Sequence, residues 1–148
     1  MLFDSGRACC FIPPGYARKP AFGNVLIAWN ESAEAARAAG AALPLLERAE
    51  HITAVAITEP GTPPDRSDSL VVLRRYLANH RLEAETKSVP SRGNVGEALI
   101  GEIQASDADL IVMGGYGHSR FRELVFGGTR LRDEGADAVG FWRWRDRW

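Results

Sequence analysis

The chain has 148 residues, which is the length of one domain and enough to bury a hydrophobic core without disulfide support. Its 18 basic and 19 acidic residues give a formal charge of −1, which provides no global field to steer it toward nucleic acid or an anionic membrane. The adjacent cysteines, Cys9 and Cys10, argue against a disulfide framework and are expected to be small apolar strand residues. Without a signal-peptide pattern or an apolar run of about 18 residues, the sequence predicts a cytoplasmic protein.

The first predicted element is a short strand. Residues 8–13 are an apolar run that ends in two prolines and a glycine, which is typical of a strand followed by a turn. Residues 15–23 mix glycine, proline and charged residues and are predicted to be a linker.

Two nearly continuous apolar runs follow, at residues 24–29 and 51–58. Such runs are typical of strands buried on both faces of a parallel sheet. Residues 30–32 supply capping groups and a first-turn acid for a helix between them. The apolar face of that helix repeats at helical spacing, through Ala35, Ala39, Ala42 and Leu46. Pro44 is predicted to kink this helix or to end its regular part.

The next elements are a loop, a helix and a strand. Residues 59–65 hold three prolines and a glycine and are predicted to be a loop. Ser67 or Asp68 is expected to cap a short helix. Its apolar face consists of Leu70, Leu73 and Leu77. Residues 82–89 alternate weakly with charges on one side, which indicates an edge strand.

A capping box formed by Asn94 and Glu97 predicts the start of the next helix. Its apolar face consists of Val95, Leu99 and Ile103. Residues 109–113 are another buried strand, and glycines follow it at once. This alternation of strands and helices predicts a parallel sheet covered by helices, with ligands bound beyond the carboxyl ends of the strands.

The glycines after that strand are the strongest functional signal. Gly114, Gly117 and Gly127 have no Cβ, so backbone N–H groups near them can close on an anion. A helix that starts after Thr129 would direct its N-terminus at the same phosphate. The alternative is that these glycines only form turns.

Two segments resemble a known family. Residues 109–128, DLIVMGGYGHSRFRELVFGG, resemble the ATP-loop segment of universal stress proteins, and residues 25–32, VLIAWNES, resemble their first strand and turn. The likeness covers about residues 24–129 and places both motifs at the right separation.

The N-terminal residues fit the same resemblance. Residues 1–14 look like the last strand of a preceding stress-protein domain, so the chain resembles the second repeat of a tandem member. Residues 1–23 would be a strand remnant and linker, and residues 24–148 the domain proper. The remnant strand is expected to pair with residues 138–144, either within one chain or as an element exchanged between chains.

The resemblance implies a Rossmann-like α/β fold of the adenine nucleotide alpha hydrolase type, a three-layer sandwich with a mainly parallel five-stranded sheet. It implies a homodimer joined through terminal strands and, as cofactor, ATP with or without Mg²⁺. It places Ala28, Asn30 and Ile57 near adenine, Met113 below the sugar, and Gly114, Gly117, Gly127, Gly128 and Thr129 under the phosphates. The implied function is a non-catalytic, ATP-binding stress-response module; the alternative is a nucleotide-free dimerisation scaffold.

Three positions depart from the family pattern. Asn30 stands where Asp is usual, Glu31 where Gly is usual, and Gly128 where Ser or Thr is usual. These changes weaken a hydrogen-bond acceptor, add a charge and remove a hydroxyl.

The C-terminal residues depart most. Residues 129–148 are rich in arginine and tryptophan where the family has a helix and an apolar strand. A nucleic-acid or membrane-surface patch is one interpretation, and a replacement strand or frayed tail is the other. We favour the latter and expect neither nucleic acid nor membrane as a partner.

No catalytic or metal-binding set is predicted. His51, His80 and His118 are far apart in sequence, and Ser119 lacks a base-and-orienter pattern. The sequence therefore predicts no enzyme, with weak ATP hydrolysis or self-phosphorylation as a third hypothesis.

Overall fold

The computed structural model describes residues 9–11, 22–59, 61, 66–114 and 137–141. The elements in chain order are β1 (Cys9–Phe11), β2 (Asn24–Trp29), α1 (Ala33–Leu46), β3 (His51–Thr58), α2 (Arg66–Asn79), β4 (Glu85–Pro90), α3 (Val95–Ser106), β5 (Leu110–Gly114) and β6 (Asp137–Phe141). The strands predicted at 24–29 and 51–58 are confirmed with the same bounds.

The strands form one sheet in the described part of the chain, in the order β1-β6-β5-β2-β3-β4. The block β5-β2-β3-β4 is parallel, with Leu26 of β2 in register with Ile111 of β5 and Thr53 of β3. This block has a carboxyl end, where its strands finish, and an amino end, where they start. The predicted parallel sheet connected by helices is confirmed for these four strands.

The expected number of strands, five, is wrong, because the described residues form a sheet of six strands. In the described residues β6 runs antiparallel to β5, with Gly114 opposite Asp137. β1 then pairs in parallel with β6, Cys10 opposite Val139, so the predicted pairing of the terminal strands is found within one chain.

The direction of β6 fixes the end of the sheet at which this strand starts. A parallel strand needs a connection that returns to the other end of the sheet, usually an amphipathic helix. An antiparallel β6 instead starts at the end of the sheet where β5 finishes.

Helices cover both faces of the sheet. On one face α1 and α2 bury a cluster that includes Ile27 and Val112, and on the other α3 buries a cluster that includes Leu26 and Val55. The predicted apolar face of α1 is entirely buried. The result is the three-layer α/β sandwich that the sequence predicted.

Local capping decides where the helices begin. Ser32 caps α1 by accepting a hydrogen bond from the backbone N–H of Ala35 at 3.0 Å, and Asn94 caps α3 as predicted. The predicted caps of α2 are wrong, because that helix begins at Arg66, before Ser67. The apolar residues of α2 begin at Leu70, so their spacing does not show that the helix already starts at Arg66.

Pro44 lies two residues before the end of α1. The helix continues through Pro44 to Leu46, and the prediction that this proline kinks the helix or ends its regular part stays a prediction.

Candidate functional site

The parallel strands bring five predicted site residues to the carboxyl end of the sheet. Ala28 of β2 is in register with Met113 of β5. Ile57 lies one residue before the end of β3, Gly114 ends β5, and Asn30 directly follows β2. Residues from three separate stretches of sequence therefore share one end of the fold.

Four apolar side chains form a partly exposed surface at this end, which we call the apolar shelf. Its members are Ala28, Ile57, Val89 and Met113, all packed against the buried cluster on the α3 face. They share that face because successive side chains in a strand point to opposite sides. Val89 is added by the structure through its register with Ile57. A flat apolar ligand could lie on this shelf and cover its exposed apolar surface.

Asn30 lies beside the shelf and is held by Ser32. Its Oδ1 accepts hydrogen bonds from the Ser32 backbone N–H at 3.2 Å and from the Ser32 hydroxyl at 2.7 Å. Among the described residues none accepts a hydrogen bond from its Nδ2. Both N–H donors of this amide are therefore without an acceptor among the described residues.

Glu31 adopts a left-handed backbone conformation, with φ of 63°. Glycine is the residue that takes this conformation without steric cost. The exposed Glu31 thus occupies a position whose geometry suits the glycine usual in the family.

Gly114 lets the start of α1 approach the end of β5. A Cβ at this position would lie 2.6 Å from the backbone nitrogen of Ala35 and 2.9 Å from the carbonyl carbon of Glu34. Both neighbours are backbone atoms of a helix, so they cannot move aside cheaply. This glycine has a packing role as well as its predicted role at the phosphates.

The first turn of α1 already carries an anion. Glu34 pairs with Arg37, its Oε1 lying 3.2 Å from Nη2. A hydrogen bond from its own backbone N–H, and then the charge of Arg37, lower the pKa of Glu34. A phosphate at this helix start would therefore compete with a carboxylate.

Trp29 points away from the shelf. Its Nε1–H donates a hydrogen bond to Oγ of Ser69 in α2 at 3.2 Å, and its ring packs against the cluster on the α1 and α2 face. This indole therefore packs under α2 and takes no part in the shelf.

The remaining predicted phosphate contacts, Gly117, Gly127, Gly128 and Thr129, lie outside the described residues. Within the described ranges, no group of three or more His, Cys, Asp or Glu side chains is placed to hold a metal ion. That part of the chain also has no helix long and apolar enough to cross a membrane.

Solved structures share this fold. A protein from the universal stress protein family from Burkholderia pseudomallei aligns over 84% of this chain and 98% of its own, at 21% identity and a TM-score of 0.60. Universal stress protein UspA from Lactobacillus plantarum aligns over 68% of this chain and 82% of its own, at 18% identity and a TM-score of 0.57. Protein Rv1636 from Mycobacterium tuberculosis H37Rv aligns over 74% of this chain and 84% of its own, at 20% identity and a TM-score of 0.50. At these identities the likeness concerns the fold.

The sequence itself matches a protein family. No curated protein sequence matches the chain significantly. The model of the universal stress protein family matches residues 21–130, which is more than half of the 148 residues. The chain therefore belongs to the universal stress protein family.

Proposed function

We propose that this chain is an ATP-binding regulatory module of the stress response, which acts without catalysis as a cytoplasmic homodimer joined through terminal strands. The observation that carries the proposal is the apolar shelf beside Asn30 at the carboxyl end of the parallel strands. Open α/β sheets bind their ligands at this end.

The chemistry of the shelf suits an adenosine. The four apolar side chains would lie against the base, and the Nδ2 of Asn30 would donate a hydrogen bond to a ribose hydroxyl. The phosphates would extend toward the glycine segment that follows β5, with Gly114, Gly117, Gly127, Gly128 and Thr129 as contacts. Mg²⁺, where present, would be held mainly by phosphate oxygens, since the described residues offer no ligand set for it.

ATP could regulate the protein by stabilising the state that binds it. A ligand that binds only the folded protein stabilises it by about 2.7 kcal/mol at a concentration 100 times Kd. ATP at cellular concentration would thereby stabilise one state of the chain or its dimer.

No catalytic residue is assigned. Phosphoryl transfer needs an acid to hold the metal and a positioned nucleophile. Asn30 is neutral at the position where the family has an acid. If the chain hydrolysed ATP weakly, phosphate release would rise with protein concentration. A colorimetric phosphate assay would detect that release.

The test is calorimetry with ATP. We expect a micromolar Kd, which corresponds to a binding free energy of about −8 kcal/mol. Replacing shelf residues by polar ones, Ile57→Gln and Met113→Gln, should weaken binding at least tenfold, and Gly117→Val should crowd the phosphates. The matched control is Val72→Gln, because Val72 is 66% exposed on α2, on the opposite face of the sheet. Equal affinity in shelf variants and control would overturn the site.

The second candidate is a nucleotide-free dimerisation scaffold. Two carboxylates at this end favour it: Glu31, strained in a left-handed conformation, and Glu34, at the start of α1. It predicts no nucleotide released when the purified protein is denatured and chromatographed, and no shift of its unfolding temperature by ATP.

A further inference from the structure

The strand β4 lies at the edge of the sheet that is farthest from the terminal strands. It pairs with β3 on one side, and in the described part of the chain no strand covers its outer side. Four consecutive residues of β4, 85–88, are exposed. An edge strand of this kind offers its open backbone N–H and C=O groups to another strand.

The hydrogen bonds to β3 show which backbone groups of β4 point outward. The backbone N–H of Ser91 donates to the carbonyl of Thr58 at 2.7 Å, so Ser91 directs its backbone groups at β3. The register of β4 with β3 is continuous, so the odd-numbered residues of β4 do the same. Thr86 and Ser88 therefore direct their N–H and C=O groups outward. Pro90 also falls on the outer side, where its missing N–H costs no bond to β3.

A second copy of the chain can meet this edge in antiparallel direction about a two-fold axis. When the axis passes through Thr86, this residue lies opposite the partner's Thr86. Ala84, the residue before β4, then lies opposite the partner's Ser88. All these residues have outward backbone groups by the same alternation, and opposed residues of this kind exchange both of their hydrogen bonds.

The charges of β4 fit this register. Glu85 lies opposite the partner's Lys87, and symmetry repeats the pair. Both are in non-hydrogen-bonded positions, where opposed Cα atoms are only about 4.5 Å apart. An axis through Lys87 or Glu85 would instead oppose two like charges, which is destabilising. An axis through Ser88 would oppose Thr86 to Pro90, which cannot donate. Among axes on residues 85–88, only the one on Thr86 pairs opposite charges.

Both charges are available for such a pair. The Nζ of Lys87 lies 2.6 Å from Oε2 of Glu102 in α3, and the Lys87 side chain is still 54% exposed. An ammonium group has three donors, so it can bond to a second carboxylate as well. In the described part of the chain, no Lys or Arg forms an ion pair with Glu85.

We propose that β4 pairs with β4 of a second copy of this chain, antiparallel and centred on Thr86. The two sheets then form one continuous sheet, and Glu85 pairs with the partner's Lys87 on the face that α3 covers. This contact is additional to the proposed joint through terminal strands, which lies at the opposite edge of the sheet. Two such symmetric contacts on one chain would link dimers into larger assemblies.

Cross-linking of the full chain tests the register. With Cys9→Ala and Cys10→Ala as the background, Thr86→Cys should bring two thiols together across the axis. The Cα atoms of a hydrogen-bonded pair are about 5.5 Å apart, which suits a disulfide. We expect a covalent dimer on mild oxidation. Ser88→Cys is the matched control, because its two copies would lie four residues apart along the strands, about 14 Å, and should not cross-link.

Charge exchange tests the complementarity. Glu85→Lys gives an edge with two positive charges, and Lys87→Glu gives one with two negative charges. The second variant also carries Glu102→Gln, so that α3 presents no like charge to it. Each variant alone should lower the association constant, measured by sedimentation, at least tenfold. Mixing the two should restore association, because every opposed pair is then opposite in charge, and this recovery would also show that both variants are folded.

Two comparisons separate this contact from the rest of the protein. Glu102→Gln alone should associate like the parent chain. A species held together through the terminal strands should persist in both charge variants, so the loss of one contact is told apart from the loss of the other. Four results would overturn the proposal: no disulfide with Thr86→Cys, equal cross-linking with Ser88→Cys, unchanged association of the single charge variants, and no recovery on mixing them.

Discussion

The side-chain oxygen of Asn30 accepts both donors of Ser32, the backbone N–H at 3.2 Å and the hydroxyl at 2.7 Å. A backbone N–H can only donate, so this contact fixes which way the amide points. The oxygen of Asn30 is used within the loop, so in the proposed site its NH₂ group is the part that would meet the ligand.

Asn30→Asp should therefore strengthen ATP binding. One carboxylate oxygen would keep the two Ser32 bonds, and the other would accept a hydrogen bond from a ribose hydroxyl. A charge-assisted bond of this kind contributes about 1.5–3 kcal/mol, so we expect roughly a tenfold lower Kd by calorimetry. Asn30→Ala is the control and should lower stability without improving affinity. Unchanged affinity in the Asp variant would place the ribose elsewhere.

Glu31→Gly should stabilise the fold. The left-handed conformation costs a residue with a Cβ about 1–2 kcal/mol, part of which the greater entropy of unfolded glycine offsets. We expect a net gain of up to about 1 kcal/mol in urea unfolding. Arg81 has nearly the same φ, 62°, away from the site, so Arg81→Gly should give a similar gain. Only the Glu31 variant should also improve ATP binding, because only it removes a negative charge there.

Gly114→Ala should destabilise the protein by about 1–3 kcal/mol, the usual cost of overpacking. Its Cβ would meet the Ala35 nitrogen at 2.6 Å. Gly101 in α3 is the matched control, since a Cβ there has no atom within 4 Å. Gly101→Ala should instead stabilise by about 0.5–1 kcal/mol, through helix propensity. An unfolding temperature that Gly114→Ala leaves unchanged would contradict the close packing of α1 on β5.

Glu34 should make stability depend on pH in the acid range. Its pKa is lowered in the folded protein, first by its own backbone N–H and further by Arg37. The stabilisation it provides is therefore present above the unfolded pKa of about 4.3 and is lost as pH falls through the folded pKa. The stability difference between wild type and Glu34→Gln should shrink toward zero on acidification. Arg37→Gln should have the smaller effect, and a difference that grows in acid would contradict this sign.

Sequence alone predicted β2, β3 and β5 because each of these strands is largely buried and stands out as an apolar run. The family resemblance placed Ala28 and Met113 around one ligand, and the two residues are in register on neighbouring strands. It did not find Val89, since an edge strand with weak alternation gives no hint of which residue faces Ile57. The direction of β6 was also missed, because it depends on how residues 115–136 connect the strands and not on the composition of β6 itself.

Deleting residues 1–14 tests the terminal strand pair. β1 covers the outer side of β6 through three registered pairs, Cys9 with Ala138, Cys10 with Val139 and Phe11 with Gly140. Without β1, the backbone N–H and C=O groups on that side of β6 lose their partners, and an open edge of this kind recruits other strands. We expect aggregation or loss of the proposed dimer, measured by light scattering.

A synthetic peptide of residues 1–14, added in excess, is the control. It should restore solubility if the lost strand is the cause, whereas the same peptide with Cys10→Pro should restore less, because proline cannot donate to the ladder. A truncated protein that stays soluble with unchanged mass would show that β1 is a passive remnant, and that β6 is protected by something other than the first strand of the chain.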